Sequence, residues 1–278
     1  MGKSHAAAGK QLQPAPRHRF AALLLGVALT LGASGFATAQ TPAASPGAWQ
    51  FEITPYLWMA GLKGDVAGPN LPQTDVNESF SDLWNVLDFA AMAAIEARKD
   101  RWGFLFDGIY MKLSDGMTMS RAGAGPLGAT LTANADVTIK QTLMSGGVAY
   151  RVLEGSTPVD VIGGLRYVKI QVDGSVDVTL LNLAGSRSRS GDKSWTDAYI
   201  GARVQYPIAD RWTLTGYADA GGSSGSSTWQ AALGASYDYS KDISFRFGYR
   251  ALNLDYNKDG FLFDATMSGP YLAAAFRF

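Results

Sequence analysis

A chain of 278 residues is long enough for one large domain or two ordinary ones. Only 17% of it is charged, against roughly 25% in soluble globular domains, while 47% is apolar and 12% aromatic. A soluble protein so poor in charge carries long apolar helices or continuous buried strands, and past residue 40 the sequence shows neither. With no cysteine, it excludes disulfides, thiolate metal sites, cysteine nucleophiles and a lipid anchor on Cys.

The first segment reads as an export signal. Lys3, Lys10, Arg17 and Arg19 stand without an acid, the apolar run 20–31 follows, and Ala37, Thr38 and Ala39 form a small-x-small cleavage pattern before Gln40. A spanning helix needs about 20 apolar residues, and this run breaks down at Gly32, Ser34, Gly35 and Thr38. Residues 1–39 are therefore expected to be a cleaved signal peptide, 40–48 a short N-terminal segment and 49–278 the folded body. The 24 Lys and Arg less these four leave 20 basic residues against 24 acidic ones. No polybasic patch remains, so nucleic acid is not an expected partner.

From residue 49 the dominant period is two, the mark of strands with one apolar face. Ten segments follow: 49–60, 88–99, 101–113, 135–151, 158–173, 194–207, 211–221, 228–239, 243–254 and 265–278. Most reach the 9–11 residues that a tilted strand needs to cross a bilayer. In 212–220, Trp212, Leu214 and Ala218 share one face, with Thr213, Thr215, Tyr217 and Asp219 on the other. In 243–250, Ile243, Phe245, Phe247 and Tyr249 oppose Ser244, Arg246 and Arg250.

Connections alternate in length. Short turns are expected near 99–101, 154–157, 208–211 and 240–242, and longer loops at 61–87, 114–134, 174–193 and 255–264, with the Gly/Ser run 221–227 a briefer fifth. Tight turns on one side and long loops on the other characterise outer-membrane barrels. Four turns and five loops join ten strands and bring both termini to the turn side. The fold class expected is thus all-β: a transmembrane antiparallel up-and-down β-barrel in the bacterial outer membrane. Eight or twelve strands also fit, because 61–87 and 114–134 could hide or extend a pair. A soluble periplasmic β-protein is the rival, and it requires the Trp212/Leu214 and Phe245/Phe247 faces to be buried by protein.

Within the first long loop, Phe80, Leu83, Trp84 and Leu87 recur at helical spacing, with Ser79 or Ser81 as N-cap. A short helix packed on its own barrel is expected there. Trp102, Tyr150, Tyr206, Trp212 and Tyr239 all lie beside the short turns, where a ring with an apolar body and a polar tip suits the membrane interface. The last strand alternates to Phe276 and Phe278, a terminal pattern that resembles the signal recognised by the barrel-insertion machinery. Expected partners are therefore outer-membrane lipid and, during biogenesis, that machinery and periplasmic chaperones.

The motifs at 55–64 (PYLWMAGLKG), 80–89 (FSDLWNVLDF), 96–102 (EARKDRW) and 107–113 (DGIYMKL) resemble a family of uncharacterised proteobacterial outer-membrane proteins. The resemblance covers about the first quarter of the mature chain and implies location and fold. It implies no activity and no functional residues. Likeness to OmpA-type and OmpW-type small barrels is one of architecture, which does not determine function.

If the aromatic faces meet lipid, parity places Glu52, Glu96, Arg98, Asp107, Arg151, Asp160, Arg166, Asp197, Arg203, Asp219, Arg246, Arg250 and Arg277 inside. In so narrow a lumen these charges must pair or stay hydrated, because isolated buried ions cost several kcal/mol each. Acid–Arg networks acting as a plug are the first expectation; a narrow polar conduit and a pocket near the outer mouth are the others. Catalysis is not expected. Both histidines, His5 and His18, precede residue 40, so the usual base for activating a Ser or a water is missing from the mature chain. Residues 255–260 place oxygen side chains before a Gly but lack the closing bidentate Glu of a Ca²⁺ loop, and a turn accounts for them. No metal or cofactor is expected. The function expected is a non-enzymatic barrel, structural or loop-presenting; the alternative is a narrow channel or transporter for small or amphipathic molecules.

Overall fold

Alternating apolar and polar residues dictate strands, and strands in contact with lipid must close on themselves so that no backbone group is left unpaired. The computed structural model describes residues 47–68, 73–121, 131–180 and 183–278, and the expected signal peptide lies outside them. The elements run β1 (Gln50–Trp58), β2 (Gly61–Ala67), β3 (Thr74–Glu78), α1 (Phe80–Asn85), β4 (Leu87–Lys99), β5 (Trp102–Arg121), β6 (Leu131–Leu153) and β7 (Val159–Leu180). Then follow β8 (Leu183–Ala209), β9 (Trp212–Ser223), β10 (Ser226–Asp238), β11 (Ile243–Lys258) and β12 (Phe261–Arg277).

The strands pair in the order β1-β4-β5-β6-β7-β8-β9-β10-β11-β12, and β12 closes back on β1. The ring therefore holds ten of the twelve strands. The other two, β2 and β3, are the hidden pair within 61–87: β2 continues along β12 beyond the end of β1 (Ser268↔Gly61 to Leu262↔Ala67), and β3 lies on its far edge. Glu52↔Arg277 pairing, with Phe51 and Phe278 exchanging backbone bonds of 3.0 Å, sets both ends of the described chain on the turn side.

By contact, Pro46–Ser114, Thr138–Val172 and Ser190–Phe278 form one compact unit, and all the side-chain geometry below belongs to it. Asp115–Val137 and Asp173–Arg189 fall in a second, whose described residues lie in strands β5 to β8. The described residues of the expected loops at 114–134, 174–193, 221–227 and 255–264 are thus largely strand. Polar and glycine-rich composition hid this, because a strand extending past the apolar zone no longer needs an apolar face. At 255–264 the hairpin turns on Asp259 and Gly260, both at positive φ (56° and 74°). That is the conformation of a two-residue type I′ turn, for which Asp-Gly is a favoured sequence.

Every ring strand exposes a large apolar side chain on its outer face. Ile53, Ile95, Phe106, Val148 and Leu165 serve the first five, and Ile200, Leu214, Leu233, Phe247 and Leu272 the rest; Ile200 and Leu233 are 68% and 66% exposed. So continuous an apolar surface is incompatible with water and suited to lipid. The soluble rival required these faces to be covered, and Leu214, Phe245 and Phe247 are exposed. Of the turn-side aromatics, Trp102 opens β5 with its ring centroid 4.8 Å from that of Tyr150, and Trp212 opens β9 at 5.0 Å from Tyr237. Tyr206, Tyr239 and Phe278 are all more than half exposed.

One joint in the ring is incomplete. β1 pairs with β4 from Gln50↔Arg98 to Pro55↔Ala93 and no further, while Leu87–Met92 of β4 pair with β5 alone. Beyond Pro55 the Trp58 N–H, which points toward β4, donates to the Met92 thioether at 3.4 Å where a carbonyl would stand in a continued ladder. α1 lies beside this joint. Ser79 caps it, accepting from the Asp82 N–H, while the Asp82 carboxylate accepts from the Ser79 N–H at 3.1 Å, a reciprocal capping box. The Ser79 hydroxyl, which also donates to the Asp82 carboxylate, and then the Ser79 N–H hold the Asp82 carboxyl below its usual range.

Candidate functional site

The inner face of the turn-side half is assembled from charged side chains that meet from strands mostly not adjacent in the ring, each brought inward by strand parity. Asp160 on β7 is the hub. Its carboxylate accepts from Arg98 (2.9 Å), Arg151 (2.9 Å) and Arg203 (2.8 Å), three guanidiniums from three other strands. Glu96 accepts from Arg203 at 2.7 and 2.9 Å and from Arg98 at 3.0 Å, so two acids hold three arginines.

Deeper in the wall, Arg166 is 1% exposed and sits over the Tyr199 ring at 5.0 Å. It donates to Asp219 (2.8 Å), Thr228 (2.7 Å) and Ser145 (3.3 Å), and the Tyr217 hydroxyl donates to the same Asp219 oxygen at 2.6 Å. Arg250 donates to Asp107 (3.1 Å), Gln230 (2.8 Å) and the Tyr56 hydroxyl (3.1 Å), which itself donates to Asp107 at 2.8 Å. The guanidinium carbon of Arg250 stands 4.8 Å from the Trp58 ring centroid. Nearest the turns, Glu52 accepts from Arg246 (2.6 Å) and Arg277 (3.2 Å), and Arg277 reaches Asp238 at 3.0 Å.

These groups surround a polar cavity of about 330 Å³ lined by Glu52, Tyr56, Glu96, Arg203, Arg246 and Arg250 among others. Chemically the cluster can neutralise itself. The acids named above each contact at least one arginine, so no pair of free carboxyls is left in position for acid–base hydrolysis. Asp197 differs: it accepts from Ser223 (2.9 Å) and from Ser226, and its other oxygen is buried without a partner. No group of three or more metal-ligating side chains is found among the described residues.

The charged residues singled out by parity therefore lie around the inner face, on nine of the ring strands, and are, Asp197 excepted, in contact with an opposite charge. Their uncharged partners Tyr56, Ser145, Tyr217, Thr228 and Gln230 were legible by the same parity, but nothing in the sequence marks a neutral residue as one that completes an ion pair. The sequence reading also missed what lies above. Toward the loops the same inner face turns apolar, and Leu143, Val168, Leu252 and Leu254 are at most 1% exposed in a cluster with Trp58, Ile109, Trp195, Tyr256, Phe263 and Met267. None of the four lines the polar cavity.

No known protein family and no curated protein sequence matches this chain. Among solved structures it is similar to the outer membrane protease OmpT from Escherichia coli, with a TM-score of 0.55 at 11% identity over 86% of this chain and 99% of that one. The translocator domain of the autotransporter NalP from Neisseria meningitidis gives a TM-score of 0.37 at 13% identity, covering 82% and 88% of the two chains. Neisserial surface protein A gives 0.31 at 12%, covering 83% and 97%. At these identities the likeness is one of fold, and OmpT carries it. With its closed antiparallel ring and lipid-facing belt, the chain has the fold of a Gram-negative outer-membrane β-barrel, and that is where it resides.

Proposed function

We propose that this protein is a non-enzymatic outer-membrane barrel with an occluded lumen, acting as a structural element or presenting its outer loops. One observation carries the reading. Where a conduit needs a column of water, Leu143, Val168, Leu252 and Leu254 are packed to 1% exposure or less across the loop-side half of the lumen. The ion pairs below support it, because charges held by partners on strands two to four places apart in the ring bridge the interior and offer little to a passing solute. All residues beyond His18 lack a histidine, which supports the non-enzymatic part; protease is a description of OmpT. The same proposal includes removal of residues 1–39 on export, lipid as the permanent partner, insertion machinery and chaperones as transient ones, and kinship with the uncharacterised proteobacterial proteins that the 55–113 motifs resemble.

A second reading, a narrow conduit for small or amphipathic molecules, is favoured by the 330 Å³ polar cavity. Single-channel recording in planar bilayers separates the two, with heat-modifiable gel migration confirming a folded barrel. The occluded barrel predicts folded protein and no steady current; discrete, salt-dependent conductance overturns it in favour of the conduit.

A further inference from the structure

We infer that the incomplete joint between β1 and β4 is a binding site for a single unbranched alkyl chain entering from the membrane, with α1 as its lid. Three independent features meet there. The first is the broken ladder: beyond Pro55↔Ala93 no strand pairing joins the two walls, so a chain can pass between them without displacing a ladder bond. The second is an apolar cavity of about 60 Å³ in the gap, walled by Leu57 and Leu62 on one side and Leu87 and Met92 on the other, with Ile109 and Met111 behind. The third is the lid. Phe80, Leu83 and Trp84 of α1 line the cavity, yet no residue of this helix is buried, and Trp84 remains 47% exposed.

The chemistry of the lining selects the ligand. Gln141 is polar, but its amide is engaged with the Met267 sulfur at 3.6 Å, and the Trp58 indole N–H is satisfied by the Gly269 carbonyl at 3.2 Å. Gln141 and the indole N–H groups of Trp58 and Trp84 are the only polar side-chain groups among the residues that line the cavity, and the rest of the lining is aliphatic, aromatic or thioether, so the site takes hydrocarbon. Its entrance is continuous with the lipid-facing belt, since Leu57 lines the cavity and is 37% exposed on the outer face. Dry apolar cavities of ~150 Å³ admit benzene; at less than half that volume this one receives the end of a chain, with the rest lying along the joint under α1. Methionines at the contact suit an occupant of variable length, because their unbranched side chains adapt to irregular gaps.

The site shares no lining residue with the polar cavity but shares Leu143 with the packed layer, so labelling and conductance are measured separately and a failure of one reading is told apart from a failure of the other. The test uses the full chain folded in phospholipid nanodiscs and two photoreactive probes, a diazirine-bearing palmitic acid and a phosphatidylethanolamine carrying the same chain, with crosslinks mapped by mass spectrometry. Labelling is expected to concentrate on Leu83, Trp84 and Met111, about tenfold above Leu214 and Phe247 on the general belt, a ratio equivalent to ~1.4 kcal/mol. Enrichment with the free acid alone identifies a free amphiphile as the source, and enrichment with both identifies membrane acyl chains. Ala90→Phe, which fills the cavity from β4, and separately Met111→Trp, which fills it from behind, are each expected to return labelling to the belt level while heat-modifiable migration is retained. Labelling no greater at α1 than across the belt, or enrichment that survives in whichever filled variant folds, overturns the site.

Discussion

The two halves of the barrel interior share strands and parity but not chemistry. On β11, Arg246 and Arg250 point inward in the turn-side half, and Leu252, Leu254 and Tyr256 continue the same row toward the loops. On β1 the row runs Glu52, Thr54, Tyr56 and then Trp58, whose ring meets Arg250 at the boundary. One half is held together by directional bonds between charges that must find each other; the other by close packing that asks only for shape. A ten-stranded ring is too narrow to leave both halves empty, and the difference between them decides which kind of damage each tolerates.

The largest expected effect is in the polar half. Asp219→Ala strands Arg166 where both side chains are within 1% of full burial, and removing one partner of a buried pair costs about 3–5 kcal/mol. Urea unfolding in lipid bilayers measures it. The double variant Asp219→Leu with Arg166→Leu should recover most of the loss, since an apolar pair of similar volume leaves no charge uncompensated. If the single and double variants are equally unstable, the polar half does not depend on charge pairing.

In the apolar half, Leu254→Ala should cost about 2–5 kcal/mol through lost packing, by the same unfolding measurement. The halves should also part company in conductance. Truncating two members of the packed layer, Leu143→Ala with Leu254→Ala, should produce current across bilayers. Arg246→Ala, facing the polar cavity, should not. The reverse pattern would assign closure to the ion pairs.

How much of this contrast was legible follows from its physics. Period two reveals which face a residue takes, so the ten ring strands, the inward charges and the lipid-facing Leu214 and Phe247 could be read directly. Periodicity carries no information about depth. Leu252 and Leu254 alternate in the same row as Arg250, and only the pairing register shows that the row crosses from a polar to an apolar interior. The helix was legible at 80–85 because its capping Ser and apolar spacing are local, whereas Leu87, read in the same spacing, opens β4. The β2–β3 hairpin was not, because Gly61, Gly64 and Asp65 read as loop residues until β12 supplies a partner.

Outside the barrel wall, effects should shrink. The Arg101–Glu154 pair at 2.7 Å joins side chains that are 46% and 53% exposed, so Glu154→Gln should change stability by no more than about 1 kcal/mol. Smallest of all is the acid response of α1. Because the Asp82 carboxyl is held below its usual range, its contribution is complete above that range and is lost as pH falls through the lowered value. Trp84 fluorescence should report fraying of α1 only in strong acid, and a change nearer neutrality would point to a different group.

The absence of any cysteine permits the most direct test of the closed loop-side half. A single Thr215→Cys places a thiol on the polar cavity without removing an ion-pair partner. In porin-free vesicles that hold the barrel with its loops outward, a small membrane-impermeant thiol reagent is added outside, and then again after the vesicles have been permeabilised. The packed layer predicts no labelling in intact vesicles and rapid labelling once the reagent reaches the turn side. Equal labelling in intact and permeabilised vesicles would mean that the lumen is open to the outside and that the apolar layer does not close it.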